Sequence, residues 1–188
     1  MKTVPVILLL LLTCRLAQAN TNPLPPSGFA LLTGFGESRP GWGDTRLAVK
    51  EFDLIPRYRH LITENIGLSW LPLRHDLLVE IPMGLMMEPE TSFIGGLTFL
   101  ACFSPPTKNS SLTPYFFAGG GIHYIHAQLP GMALHLNGNY QSGGGLSLAV
   151  SPRMRAHFEI RLHHVSNAST RWPNDPLNSF KILGGFSF

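Results

Sequence analysis

The sequence is short of charge: 13% of its 188 residues are Asp, Glu, Lys or Arg, about half the share usual in soluble domains. Something other than charge must face much of the surroundings. Long apolar runs are also missing, since no segment reaches the ~18 uninterrupted apolar residues of a membrane-spanning helix, so helical spans are excluded. Cysteine is scarce, with Cys14 and Cys102 the two in the chain. Glycine and proline are plentiful instead, at 19 and 16. That excludes a coiled coil or long-helix protein and suits many strands separated by turns. Two classes are left, a buried-core all-β protein and a membrane protein that crosses with strands.

At the start of the chain, Lys2 precedes the apolar run Val4–Leu12, and Ala17-Gln18-Ala19 offers a small-x-small cleavage signal. Residues 1–19 are therefore expected to be an export leader and 20–188 a single domain. The apolar run is well short of the ~20 residues of an anchor. Leu11-Leu12-Thr13-Cys14 is a poor lipoprotein box because of Thr13. Cleavage after Ala19 leaves Cys102 alone, so no internal disulfide forms and Cys102 is a small buried or lipid-facing apolar residue. Losing Lys2 and Arg15 removes two charges from the formal +3, so the basic pI gives no reason to expect a nucleic-acid partner.

Period-two stretches bounded by turn residues predict eight strands: Phe29–Gly36, Thr45–Ile55, Asp76–Met87, Ser92–Phe103, Pro114–His126, Tyr140–Val150, Arg155–Val165 and Ser179–Phe188. Pro40-Gly41, Glu88-Pro89, Pro105-Pro106, Pro130-Gly131 and Asn137-Gly138 punctuate them. Arg57 to Arg74 either prolongs two strands or forms a long loop around Trp70. In the last stretch Phe180, Ile182, Phe186 and Phe188 share one face, and Lys181, Gly185 and Ser187 the other. Its aromatic final residue looks like the terminal signal of Gram-negative outer-membrane barrels. The expected fold is all-β, an eight-stranded antiparallel up-and-down transmembrane barrel in the outer membrane.

The segment Arg155 to Ser166 alternates cleanly. Phe158, Ile160 and Leu162 lie on one face, with Glu159, Arg161 and His163 on the other. His164 and Ser166 continue the lipid-facing set. At i and i+2 on one strand their backbones are ~6.6 Å apart, which lets an imidazole nitrogen reach the serine oxygen as base to nucleophile. Taken by spacing alone, the same residues also fit a strand ending in a polar rim.

The residues that follow add weight. His164-Val165-Ser166-Asn167-Ala168, then Pro173-Asn174-Asp175-Pro176-Leu177-Asn178-Ser179 leading into the last strand, resembles the lipid A 3-O-deacylase family, the PagL-type outer-membrane enzymes. The match is specific over Arg155–Phe188; Pro114–Gly121 and Leu136–Gly145 are compatible with the family's central strands. The resemblance implies an eight-stranded barrel with a serine-hydrolase site on its lipid-facing exterior, acting on lipid A of lipopolysaccharide without cofactor or metal. It implies Ser166 as nucleophile, His164 as general base and Asn167 as oxyanion-hole donor through its side-chain amide. Where the family has a glutamate as the triad acid, this sequence has Asn178. An amide oxygen can accept the imidazole N–H and fix the tautomer but cannot neutralise the imidazolium. Asp175 is the nearest carboxylate candidate, while Glu159 has the wrong parity. The alternative function is a non-catalytic structural or adhesion barrel, and a homodimer stays open.

Other signals are weaker. His123 and His126 fall on opposite strand faces, as do His163 and His164, which argues against a metal site. Gly119-Gly120-Gly121 and Gly143-Gly144-Gly145 lack the lysine and serine of a phosphate loop and read as room inside a narrow barrel or a strand kink. Arg57, Arg59, Arg153 and Arg155 are expected at a rim, as solvated charges or as contacts to lipid phosphates.

Overall fold

The computed structural model describes residues 24–68, 71–106 and 111–188; the expected leader and Cys14 lie outside them. Nine strands occur among these residues: β1 (Ser27–Ser38), β2 (Val49–Leu68), β3 (Leu71–Glu80), β4 (Met83–Glu88), β5 (Ser92–Ser104), β6 (Leu112–Ile125), β7 (Leu136–Ser151), β8 (Met154–Ser166) and β9 (Leu177–Ser187). β3 and β4 lie end to end, since each pairs with both β2 and β5. They form one stave, so the nine strands make a ring of eight. β1 closes the ring on β9 in the register Ala30↔Ser187 to Ser38↔Ser179, and every pairing is antiparallel.

The break inside that stave corrects the single strand expected over Asp76–Met87. Pro82 has no N–H to give a ladder; its carbonyl instead accepts from Gly96 N–H at 2.9 Å, while Ile81 N–H reaches the Pro56 carbonyl at 3.0 Å. The strand expected to start at Thr45 starts at Val49 and runs on to Leu68, so the ambiguous stretch from Arg57 prolongs two strands. Residues 69–70, with Trp70, lie outside the described set. The remaining strands fall within a few residues of expectation, except that β7 starts at Leu136, so Asn137-Gly138, expected as a turn, lies inside the strand and pairs with His123 and Ile122.

Parity decides the two faces. Phe29, Phe99, Phe116, Phe158, Leu162 and Ile182 are among many large apolar side chains exposed outward. Covering each with lipid is worth ~1.5–3 kcal/mol, and a closed sheet leaves no unpaired edge in that lipid. The inward residues include small apolar clusters, one of which holds Cys102 with Leu78, Leu100 and Phe117. Cys102 is thus a buried, inward residue.

Charge collects in the lumen. Arg57 and Arg161 alternate with Glu80 and Glu159: Arg57 lies 2.6 Å from Glu80 and 2.6 Å from Glu159, and Arg161 lies 2.8 Å from Glu80 and 2.5 Å from Glu159. Lys181 bridges Glu51 at 2.8 Å and Asp53 at 2.9 Å. The rim expectation for the arginines is therefore corrected for Arg57, which is buried in this network, and for Arg59, which faces inward to Asp76 at 3.1 Å. Arg155 also turns inward, donating to Ser147 Oγ at 2.7 Å and Thr113 Oγ1 at 3.1 Å. Arg153 stays exposed between β7 and β8. Of the glycine triplets, Gly143 and Gly145 leave lumen space: a Cβ on Gly143 would sit 2.8 Å from the Phe117 ring, and one on Gly145 would sit 2.6 Å from the Tyr115 ring.

Candidate active site

One end of the barrel carries the long connections 39–48, 126–135 and 167–176 together with the short 89–91; at the other end residues 152–153 form a tight turn. The candidate site lies at the long-loop end, where β7, β8 and β9 meet the β1–β2 loop. The β8–β9 register sets His164 directly opposite Asn178, and the β7–β8 register sets Tyr140 opposite His164 and Gly138 opposite Ser166. All share the outward parity of Leu162 and Phe180.

The imidazole is held on both sides. Its Nδ1 lies 2.7 Å from Asn178 Oδ1 and its Nε2 lies 3.1 Å from Ser166 Oγ. Asn178 therefore occupies the place an orienting acid would take. Asp175 does not reach the ring; its carboxylate faces Arg46 at 3.7 Å. Glu159 is in the lumen ion network.

Just past Ser166 the chain turns sharply. Ala168 and Ser169 take left-handed conformations with φ 53° and 58°, which costs a residue with a Cβ ~1–2 kcal/mol each. The turn is tied from both sides: Asn167 N–H donates to Asn174 Oδ1 at 2.8 Å, Asn167 Nδ2 donates to the Arg171 carbonyl at 2.8 Å, and Thr170 Oγ1 donates to the Asn167 carbonyl at 2.7 Å. Asn167 is buried. One hydrogen of its side-chain amide is thus engaged, and the second is not needed by the Arg171 bond.

Beside His164 and Asn178 an open furrow of about 660 Å³ runs along the outer face, with the small Ala118, Gly120 and Ser142 between Trp42, Tyr140 and Leu162. Its wall is mostly apolar. The Tyr140 and His164 ring centroids are 6.2 Å apart.

Sequence reasoning missed the β1–β2 loop, which was expected to be strand from Thr45 on. Thr45 is instead buried against Asn178, whose backbone N–H donates to Thr45 Oγ1 at 2.9 Å. It also missed the meeting of His123 on β6 and His163 on β8, whose ring centroids lie 5.3 Å apart on the lumen side of the β7 strand between them. Parity set His163 inward and His164 outward, but it could not show that the inward side chains of β6 and β8 meet over β7. Among the described residues no group of three potential metal ligands converges.

A closed ring of eight staves, apolar outside and charged within, defines a Gram-negative outer-membrane β-barrel. Residues 59–187 match the family model described as lipid A 3-O-deacylase (PagL). The chain belongs to that family and is a lipid A deacylase-type barrel of the outer membrane. Among solved structures it is similar to the outer-membrane enzyme PagL, with 16% identity, 84% of this chain and 97% of that one covered, and a TM-score of 0.60. It is also similar in shape to Neisserial surface protein A, with 13% identity, 87% of this chain and 96% of that one covered, and a TM-score of 0.64. Both likenesses speak for the fold alone. Comparison with curated proteins gives no match.

Proposed function

We propose that the protein is a serine esterase that removes the 3-O-linked hydroxyacyl chain from lipid A. The observation that carries this reading is the imidazole of His164 bonded at once to Ser166 Oγ at 3.1 Å and Asn178 Oδ1 at 2.7 Å on the lipid-facing side. Three groups in hydrogen-bonded series are the requirement for activating a hydroxyl nucleophile.

In this reading Ser166 Oγ attacks the ester carbonyl as His164 Nε2 takes its proton. The oxyanion accepts from the free Nδ2 hydrogen of Asn167. His164 then returns the proton to the sugar oxygen as the C–O bond breaks, leaving the acyl group on Ser166. Water, deprotonated by His164, attacks that acyl-serine; the hydroxy fatty acid departs and Ser166 regains its hydrogen. Asn178 keeps the imidazole N–H on Nδ1 but adds no charge, so the imidazolium is stabilised less than it would be beside a carboxylate.

Location supports the substrate. Barrels of this kind carry their longer loops on the outer side, so the site lies at the level of the leaflet that holds lipid A, and the furrow offers an apolar path for an acyl chain. Gly138, opposite Ser166, adds no side chain on the approach to the hydroxyl. The series is complete within one chain, so a homodimer would supply no reacting group. Mass spectrometry of lipid A from cells with and without the protein tests the reading: loss of one 3-hydroxyacyl mass only when the wild-type protein is present supports it, and unchanged lipid A favours the non-catalytic barrel.

A further inference from the structure

Asn178 has two unlike ends, and the β1–β2 loop holds one of them. Its Nδ2 lies 2.9 Å from the Trp42 carbonyl oxygen and 2.9 Å from Thr45 Oγ1. The Trp42 carbonyl can only accept, so it demands the NH2 end of the amide. That leaves Oδ1 for His164, and because Oδ1 can only accept, the imidazole hydrogen must sit on Nδ1. The lone pair of Nε2 then points to Ser166.

The loop is shaped for this contact. Gly41 N–H donates to the Thr45 carbonyl at 2.9 Å and Thr45 N–H to the Trp42 carbonyl at 3.3 Å, closing a tight turn. Gly41 and Gly43 take left-handed φ values of 86° and 56°. A Cβ on Gly43 would lie 3.2 Å from Asn178 Nδ2, so the turn sits directly against the amide. Thr45 Oγ1 spends both lone pairs on Asn178, accepting from its backbone N–H and from Nδ2.

We infer that the Trp42–Thr45 turn is a positioning element of the site: it reads the amide of Asn178 and thereby sets the tautomer of His164, with Thr45 as the positioning residue. The site is built for an amide at 178. A carboxylate there would turn an oxygen toward the Trp42 carbonyl at about the present Nδ2 separation, a repulsive contact. This inference rests on His164 and Ser166 acting as base and nucleophile.

The test pairs a structural readout with a kinetic one. Side-chain 15N NMR of the full barrel in lipid nanodiscs reports the His164 tautomer, and deacylation of purified lipid A reports kcat and KM. Wild type should hold the Nδ1–H form. Thr45→Val removes one of the two Nδ2 acceptors and the backbone tie that holds the Trp42 carbonyl against the amide, so it should admit the Nε2–H form and lower kcat about tenfold at unchanged KM, and Thr45→Ser should restore both. Asn178→Asp has no amide to turn, so adding Thr45→Val to it should leave the tautomer at Nδ1–H and cost less than threefold. Gly43→Ala, which strains the left-handed turn and presses on Nδ2 while keeping the Thr45 hydroxyl, should move the tautomer in the same direction and decides the matter if Thr45→Val does not fold. An unchanged tautomer and rate in these variants, or an equal loss from Thr45→Val in both backgrounds, overturns the inference. If wild type leaves lipid A intact the deacylase reading fails, while the tautomer measurement still decides the positioning claim.

Discussion

Removing Glu159 should destabilise the barrel by about 3 kcal/mol. Its carboxylate takes Arg57 Nη1 at 2.6 Å and Nη2 at 2.9 Å, Arg161 Nε at 3.0 Å and Tyr115 Oη at 2.6 Å. Glu159→Ala leaves two buried guanidinium groups sharing Glu80, a net charge of one in a formerly neutral quartet. Truncating one partner of a buried pair costs ~3–5 kcal/mol. Two features hold the loss to the lower end. Each arginine keeps Glu80, and a cavity of about 480 Å³ lined by Arg57 and Tyr115 lets water reach the gap. Pairing the loss with Arg57→Leu removes the surplus charge, so Glu159→Leu with Arg57→Leu should recover more than half of it. The assay is urea unfolding of the barrel in lipid vesicles, where a fall in midpoint at constant slope reads stability. A Glu159→Ala loss below 1 kcal/mol, or a double variant no more stable than the single one, would refute the view that this quartet ties the staves together.

Two further outcomes follow from the geometry. Asn174→Ala takes the acceptor from Asn167 N–H and loosens the turn after Ser166, so kcat should fall about tenfold with KM little changed, since misplacement near reacting atoms is costly; a wild-type rate would detach Asn174 from the site. Gly143→Ala drives a Cβ into the Ile160 carbonyl oxygen of the neighbouring strand and to 2.8 Å from the Phe117 ring, whereas at Gly138 the nearest atom is the Ser166 carbonyl oxygen at 3.5 Å. Overpacking costs ~1–3 kcal/mol, so Gly143→Ala should lower the folded yield on a heat-modifiability gel while Gly138→Ala folds normally, and equal yields would count against the need for glycine at 143.

What could be read from the chain was whatever depends on parity and neighbours. The alternation from Phe158 to Leu162 sorted β8 into faces, put His164 and Ser166 outward together and kept Glu159 inward. Turn residues found most strand ends. What could not be read depends on closure of the ring. Arg57 and Glu159 stand 102 positions apart, and nothing local marks them as partners, so Arg57 looked like a rim charge. Pro82 splits a stave whose apolar pattern continues across it. The Trp42–Thr45 turn reaches Asn178 from more than 130 positions away, and Thr45 has a strand-favouring side chain, so its service to Asn178 was invisible before β1 and β9 paired. The departure at Asn178 was visible in the sequence; the acceptors that suit an amide there were not.

The central claim is that Ser166, through His164, cleaves the 3-O ester of lipid A. The most direct measurement is tandem mass spectrometry of purified lipid A after incubation with purified wild-type, Ser166→Ala or His164→Ala barrels at equal folded amounts. Wild type should release the hydroxyacyl chain at position 3 alone, and neither variant should release any, since nucleophile and base act as a unit. Release of that chain by Ser166→Ala at the wild-type rate, or intact lipid A with the wild-type protein, would contradict it.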